Sequence, residues 1–194
     1  ENAFNREKEL LSNVSNKRRY LVYFSTTGIF DPDRKKSRYI QHKLEMEEMI
    51  NTLFNQWVIF RLPNIVGIGG NPMTMFNFFR NAILNNHELV LKAHTTRHIL
   101  GVDELRFTIS EAIHRKRFKN EIVNVCPPEN YKVTEIVECM ETFLGIKARK
   151  NILDEGSSYV VPNSQYLKLT QELGFNEFHD DYLHRLVKKY CTTS

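Results

Sequence analysis

Tyr39 and Lys43 stand four residues apart, so on a helix their side chains share one face. An ordinary phenol, with a pKa of about 10, is a poor acid or base at neutral pH, but an ammonium held close stabilises the phenolate and lowers that value. A tyrosine assisted in this way can exchange a proton with an alcohol or a carbonyl while a hydride moves elsewhere. Alone, the pair reads as an ordinary couple on the surface of an amphipathic helix. The surroundings add to it: Tyr23-Phe24-Ser25-Thr26-Thr27-Gly28-Ile29-Phe30 closes an apolar run with hydroxyls. Hydroxyls at the C-terminal end of a buried strand lie where open α/β sheets place their ligands.

The elements that must position these groups follow from hydrophobic spacing. Phe4, Leu10, Leu11 and Val14 give a helix over 4–14, and Tyr20 to Ser25 reads as a strand buried on both faces. Residues 26–36, with Gly28 and Pro32, read as a loop, and Ser37 to Phe54 is the strongest helix. Trp57 to Phe60 is a second buried strand, and residues 62–71, with Pro63, Gly67, Gly69 and Gly70, a flexible loop. Pro72 suits the first turn of a helix reaching Leu84. Short strands near Leu89 to Leu91 and His98 to Leu100 precede a helix from Val102 to about His114, and Ile122 to Val125 is a third buried strand. A helix from Val133 to Leu144 stops at Gly145, and two more, Ser164 to Leu173 and Asp180 to Tyr190, close the chain. Apolar strands alternating with helices predict an α/β fold with a largely parallel sheet.

Several stretches then fall in register with a known family: the hydroxyl strand, Tyr39-Ile40-Gln41-His42-Lys43, Arg61-Leu62-Pro63-Asn64-Ile65-Val66-Gly67, Arg97 to Leu105, Asn124-Val125, Tyr131 to Val137, and Asn163-Ser164 to Phe175. Over almost its whole length the chain resembles the extended short-chain dehydrogenase/reductases, the NAD-dependent epimerase/dehydratase group that modifies nucleotide sugars. The resemblance implies a partial Rossmann-like sheet with helices on both faces and a small C-terminal substrate-binding part. It implies a catalytic portion over 1–125, with substrate-loop insertions at about 62–100, and a mainly helical part over 126–194. Thr26 matches the hydroxyl residue that orients the reacting oxygen, with Ser25 its neighbour in a shifted alignment. Tyr39 matches the acid/base, and Lys43 the residue that holds the nicotinamide ribose and lowers the tyrosine pKa. Pro63 matches the position where the chain passes the nicotinamide. Thr27, Asn64 and Arg97 match the substrate side, Arg97 with the planar donor fork suited to a diphosphate. Asp103, just before the next helix, reads as a helix cap.

The resemblance thus implies reversible hydride transfer between NAD or NADP and a nucleotide-sugar carbon. A homodimer through the helices 4–14 and 37–54 follows by the same analogy. One part of the pattern is missing: no Gly-rich pyrophosphate fingerprint opens the chain, and Gly67-Ile68-Gly69-Gly70 matches a substrate-side loop instead. The sequence reads as the C-terminal two-thirds or so of a larger two-part fold. Two alternatives stay open: a non-catalytic Rossmann-like binding or assembly domain, and a reductase of a small carbonyl compound.

Composition narrows the remaining classes. The chain has 194 residues, 41% apolar and 26% charged, with a net charge of +4, which excludes global disorder and does not demand a nucleic-acid partner. The basic clusters Lys17-Arg18-Arg19, Arg34-Lys35-Lys36-Arg38 and Arg115-Lys116-Arg117-Lys119 read as solvated helix ends and loops. No apolar run approaches the roughly 20 residues of a membrane helix. Cys126, Cys139 and Cys191 have no zinc or disulfide spacing, which fits a reducing, cytoplasmic compartment. His94 and His98 share helical spacing, but their neighbours favour extended chain, so no metal site is expected.

Overall fold

The computed structural model describes residues 2–14, 20–175, 178–179 and 181–192. The Lys17-Arg18-Arg19 cluster and the expected helix start at Asp180 lie outside them. Helices α1 (Asn2–Asn13) and α2 (Arg38–Leu53) flank β1 (Leu21–Thr26), which leads into a short 3-10 turn, Thr27–Phe30. The Ser37 side chain accepts from the Ile40 amide and starts α2, whose Ile40, Met46 and Ile50 are buried. A parallel three-stranded sheet follows the order β1, β2 (Trp57–Leu62), β7 (Glu121–Asn124), with Tyr23 opposite Ile59 and Ser25 opposite Arg61.

β1 departs from the expectation of burial on both faces. Its residues alternate, with Tyr23 and Ser25 buried and Phe24 48% exposed. β1 stands at one side of this three-stranded row, and Phe24 stacks on the neighbouring Phe60 ring with centroids 6.2 Å apart.

Past Leu62 the chain changes partners. Pro63 has no amide proton for a ladder, and the strand resumes as β3 (Asn64–Val66), paired in parallel with β6 (Ile99–Gly101). Part of the expected flexible loop is therefore strand. The following helix, α3 (Met75–Leu84), begins three residues later than Pro72 predicts, because the turn Asn71–Thr74 comes first: the Thr74 amide donates to the Asn71 carbonyl. β4 (Glu88–Lys92) pairs in parallel with β9 (Arg149–Leu153), and β5 (Thr96–Arg97) pairs antiparallel with β8 (Tyr131–Lys132). Between them run α4 (Val102–His114) and α5 (Val133–Leu144), the latter stopped by Gly145 at φ 66°. α6 (Ser164–Glu172) and α7 (Tyr182–Tyr190) complete the order.

The packing divides by face. Trp57 and Ile59 of β2 meet Leu11 of α1 and the buried side of α2, while Val58 and Phe60 meet α4 and α6. A further core joins Phe76, Phe79 and Ile83 of α3 and Leu89 and Leu91 of β4 to α5 and α7. The expected core phenylalanines thus divide: Phe76 and Phe79 are buried, whereas Phe78 is exposed. Asp103 does not cap α4. Its carboxylate accepts from Tyr190 Oη (3.0 Å) and Lys189 Nζ (2.8 Å), tethering α7 to the first turn of α4. Among the described residues no helix is long and apolar enough to cross a membrane.

Candidate active site

The end of β1, the first turn of α2 and the Pro63 crossing open onto one cleft of about 840 Å3. Thr26, Tyr39, Pro63, Asn64 and Arg97 line it, so five of the expected site residues come together. Thr26 ends the strand with extended backbone, and its Oγ1 accepts from the Gly28 amide at 3.0 Å. The Tyr39 side chain lines the same cleft. Burial pushes the Tyr39 phenol above its ordinary value; the Arg34 charge and the Thr26 hydroxyl pull it back part of the way. Tyr39 is nonetheless 39% exposed, within reach of a molecule in the cleft.

The other expected residues lie elsewhere. Ser25 is buried and its Oγ donates to Glu47 Oε1 at 2.6 Å, away from the cleft. Glu47 also takes a two-point contact from Arg61, at 2.9 Å from Nε and 2.5 Å from Nη2, so this largely buried triad joins β1, α2 and β2. The alternation of a strand explains the outcome: Ser25 and Thr26 point to opposite sides. Thr27, also buried, donates to the Leu62 carbonyl at 3.3 Å.

Lys43 also stands apart from the cleft. Its Nζ donates to Glu7 Oε1 (3.0 Å) and Tyr23 Oη (2.8 Å) and stands 4.8 Å from the centre of the Tyr23 ring; it does not line the cleft. Glu7 also accepts from Tyr23 Oη at 2.9 Å and pairs with His42 Nε2 at 2.6 Å. Burial raises the Glu7 carboxyl, but His42, Lys43 and Tyr23 together outweigh it and hold the group below the usual value.

Arg97 reaches the cleft from a fixed mount. Its Nη2 lies 3.1 Å from Asp31 Oδ2, its Nη1 donates to the Thr96 carbonyl at 2.7 Å, and its guanidinium faces the Tyr159 ring. Asp31 is fully buried. Asn64 Nδ2 donates to the His98 carbonyl at 3.1 Å. The two histidines of the discounted metal pair diverge: His98 Nδ1 meets the Glu129 carbonyl, and His94 pairs with Asp154. Arg34 also lines the cleft, a residue that the sequence presents only as part of a basic cluster.

No family model matches the sequence, and no curated protein matches it. Solved structures do match its fold. A UDP-glucuronic acid 4-epimerase from Bacillus cereus, in complex with NAD, is similar at TM-score 0.75 with 17% identity over 95% of this chain and 64% of its own. A dTDP-glucose 4,6-dehydratase from Bacillus anthracis, in complex with NAD, gives 0.69 with 18% identity over 96% and 66%. A UDP-glucose 4-epimerase from Thermus thermophilus, complexed with NAD, gives 0.65 with 16% identity over 89% and 62%. The chain has their α/β fold and spans about two thirds of their length.

Proposed function

We propose that the chain is the catalytic portion of an NAD(P)-dependent nucleotide-sugar epimerase, dehydratase or reductase. The observation that carries this reading is the convergence of Tyr39, Thr26, Pro63, Asn64 and Arg97 on one cleft. The cleft wall fits the nicotinamide side of a dinucleotide, and the Lys43 ammonium, expected at its ribose, is held by Glu7 and Tyr23 in the ligand-free chain. NAD(P), when bound, supplies the hydride acceptor and donor. Tyr39 takes the proton of the sugar hydroxyl as the carbon is oxidised and returns it on reduction. Thr26 orients the reacting oxygen, and Arg97 and Asn64 stand on the substrate side of the same cleft.

The test uses UDP- and dTDP-sugars with NAD or NADP, following nicotinamide absorbance and product. Tyr39→Phe should lower turnover at least 100-fold, the low end of what a positioned acid/base contributes, roughly 10²–10⁴-fold. Undiminished turnover in that variant would overturn the mechanism. The capture of Lys43 by Glu7 favours a second reading, a non-catalytic binding domain that keeps the fold and not the cofactor. Nucleotide-sugar binding with no NADH or NADPH binding, measured by calorimetry, would favour it over the first. The outer faces of α1 and α2, where Leu10 and Leu44 are exposed, with exposed Val14 just past the end of α1, are the proposed homodimer contact. A monomeric mass by light scattering would count against it.

A further inference from the structure

The charge of the cleft is one-sided. Among the described residues Arg34 and Arg97 line it, and no Asp or Glu does. Arg97 is already matched, with its Nη2 3.1 Å from the carboxylate of fully buried Asp31. Arg34 enters no salt bridge among the described residues, so its charge is the unbalanced one. The turn that carries it is anchored at both ends. The Arg34 amide donates to the Asp31 carbonyl (3.1 Å), and its carbonyl accepts from the Ser37 amide (2.9 Å), where α2 begins. Asp33, its neighbour in sequence, accepts instead from Ser157 Oγ at 2.9 Å.

Where the guanidinium lies decides what it can meet. A methyl group placed on Gly28 would lie 3.1 Å from Thr26 Oγ1 and 3.6 Å from Arg34 Nη1, so the hydroxyl and the guanidinium flank the same small residue. Thr26 is the hydroxyl assigned above to the reacting oxygen. In a nucleotide sugar the anomeric carbon carries the diphosphate and has no free hydroxyl to oxidise, so the reacting carbon lies elsewhere on the ring. A cation beside Thr26 therefore faces the sugar and not the diphosphate. A neutral hexose offers that cation only dipoles, whereas the two oxygens of a carboxylate fit the guanidinium fork and balance its charge.

We propose that Arg34 determines specificity, and that the cleft prefers a nucleotide-linked sugar acid, a uronic acid whose ionised carboxylate pairs with the Arg34 guanidinium. The inference rests on the nucleotide-sugar reading above and narrows its substrate class. The carboxylate is bound and not transformed, so the hydride and proton steps assigned to the cofactor and Tyr39 are unchanged. Arg34 precedes the catalytic helix by one short turn, which places the receptor for the acid group and the acid/base on a single stretch of chain.

The test is calorimetric binding of UDP, UDP-glucose and UDP-glucuronate to the wild type, Arg34→Gln and Arg34→Lys. The wild type should bind UDP-glucuronate about tenfold more tightly than UDP-glucose, the low end of what hydrogen bonds to a charged group contribute. Arg34→Gln should abolish most of that preference and leave UDP affinity unchanged, and Arg34→Lys should keep part of it. Arg34 is exposed on its turn, so these variants should melt as the wild type does. Equal affinity of the wild type for the two sugars overturns the proposal, as does a preference that survives Arg34→Gln. A loss of UDP affinity as large as the loss for UDP-glucuronate also overturns it, because Arg34 would then serve the diphosphate. In each of these cases the nucleotide-sugar reading stands. If none of the three ligands binds, this inference falls, and if dTDP-glucose fails as well the nucleotide-sugar reading falls with it.

Discussion

Arg97 serves two ends at once, and they can be separated. It faces the cleft, but it also neutralises Asp31, a carboxylate with no exposure to water. Removing one partner of a buried ion pair strands the other charge, at a cost of about 3–5 kcal/mol. Arg97→Ala should therefore lower the urea midpoint markedly, and Asp31→Ala in the same chain should recover most of the loss. A single Arg97→Ala as stable as wild type would show that Asp31 does not depend on it. Any weakening of nucleotide-sugar binding must be judged against that double variant. At this scale the sequence exposes residue types at strand ends and helix faces, which is why Thr26, Tyr39, Pro63, Asn64 and Arg97 are legible as the lining of one cleft. It does not expose which partner crosses to meet them. Helical spacing puts Lys43 on the face of Tyr39 but says nothing of Glu7, 36 residues away on another helix.

At the scale of the element, α1 is docked by a titratable clasp. Leu11 is buried, Phe4 stacks on His42 with ring centroids 4.2 Å apart, and Glu7 binds His42, Lys43 and Tyr23. The Glu7 carboxyl has a lower pKa folded than its ordinary 4.5. Its contribution is complete above that ordinary value and fades as pH falls through the depressed one. Glu7→Gln should cost about 1.5–3 kcal/mol at neutral pH, the usual worth of hydrogen bonds to a charged group. Thermal melts of the two proteins should converge as the solution is acidified; a gap that is constant down to about pH 3 would exclude Glu7 as the titrating group. The helices themselves are legible, α4 and α5 to within a residue, because apolar spacing, and for α5 a glycine stop, lie in the local sequence. β3 and β9 are not. β3 has only three residues, and β9 begins Arg149-Lys150-Asn151 with a half-exposed pattern, so each is a strand only because β6 or β4 offers an edge.

The whole molecule is joined through β2 and the aromatic residues around α7. β2 carries Trp57 and Ile59 into the core under α1 and α2, and Val58 and Phe60 into the core under α4 and α6. Phe178 packs against that second core and also against the one built from α3, α5 and α7. Tyr182 of α7, fully buried, accepts the Gly101 amide at 3.0 Å, at the junction of β6 and α4. β6 pairs with β3, which places Asn64 at the cleft, so the site is mounted where these cores meet. Contiguous cores of this kind should unfold together. Tyr182→Phe leaves the Gly101 amide without its acceptor, a loss of about 1–3 kcal/mol for a buried donor. Trp57 is the sole tryptophan and lies in the core farthest along this chain of contacts from α7. Its fluorescence midpoint should fall in Tyr182→Phe by as much as the midpoint from circular dichroism. A Trp57 transition that stays in place while the ellipticity midpoint moves would divide the protein into two folding units, with the cleft residues Asn64 and Arg97 at their boundary.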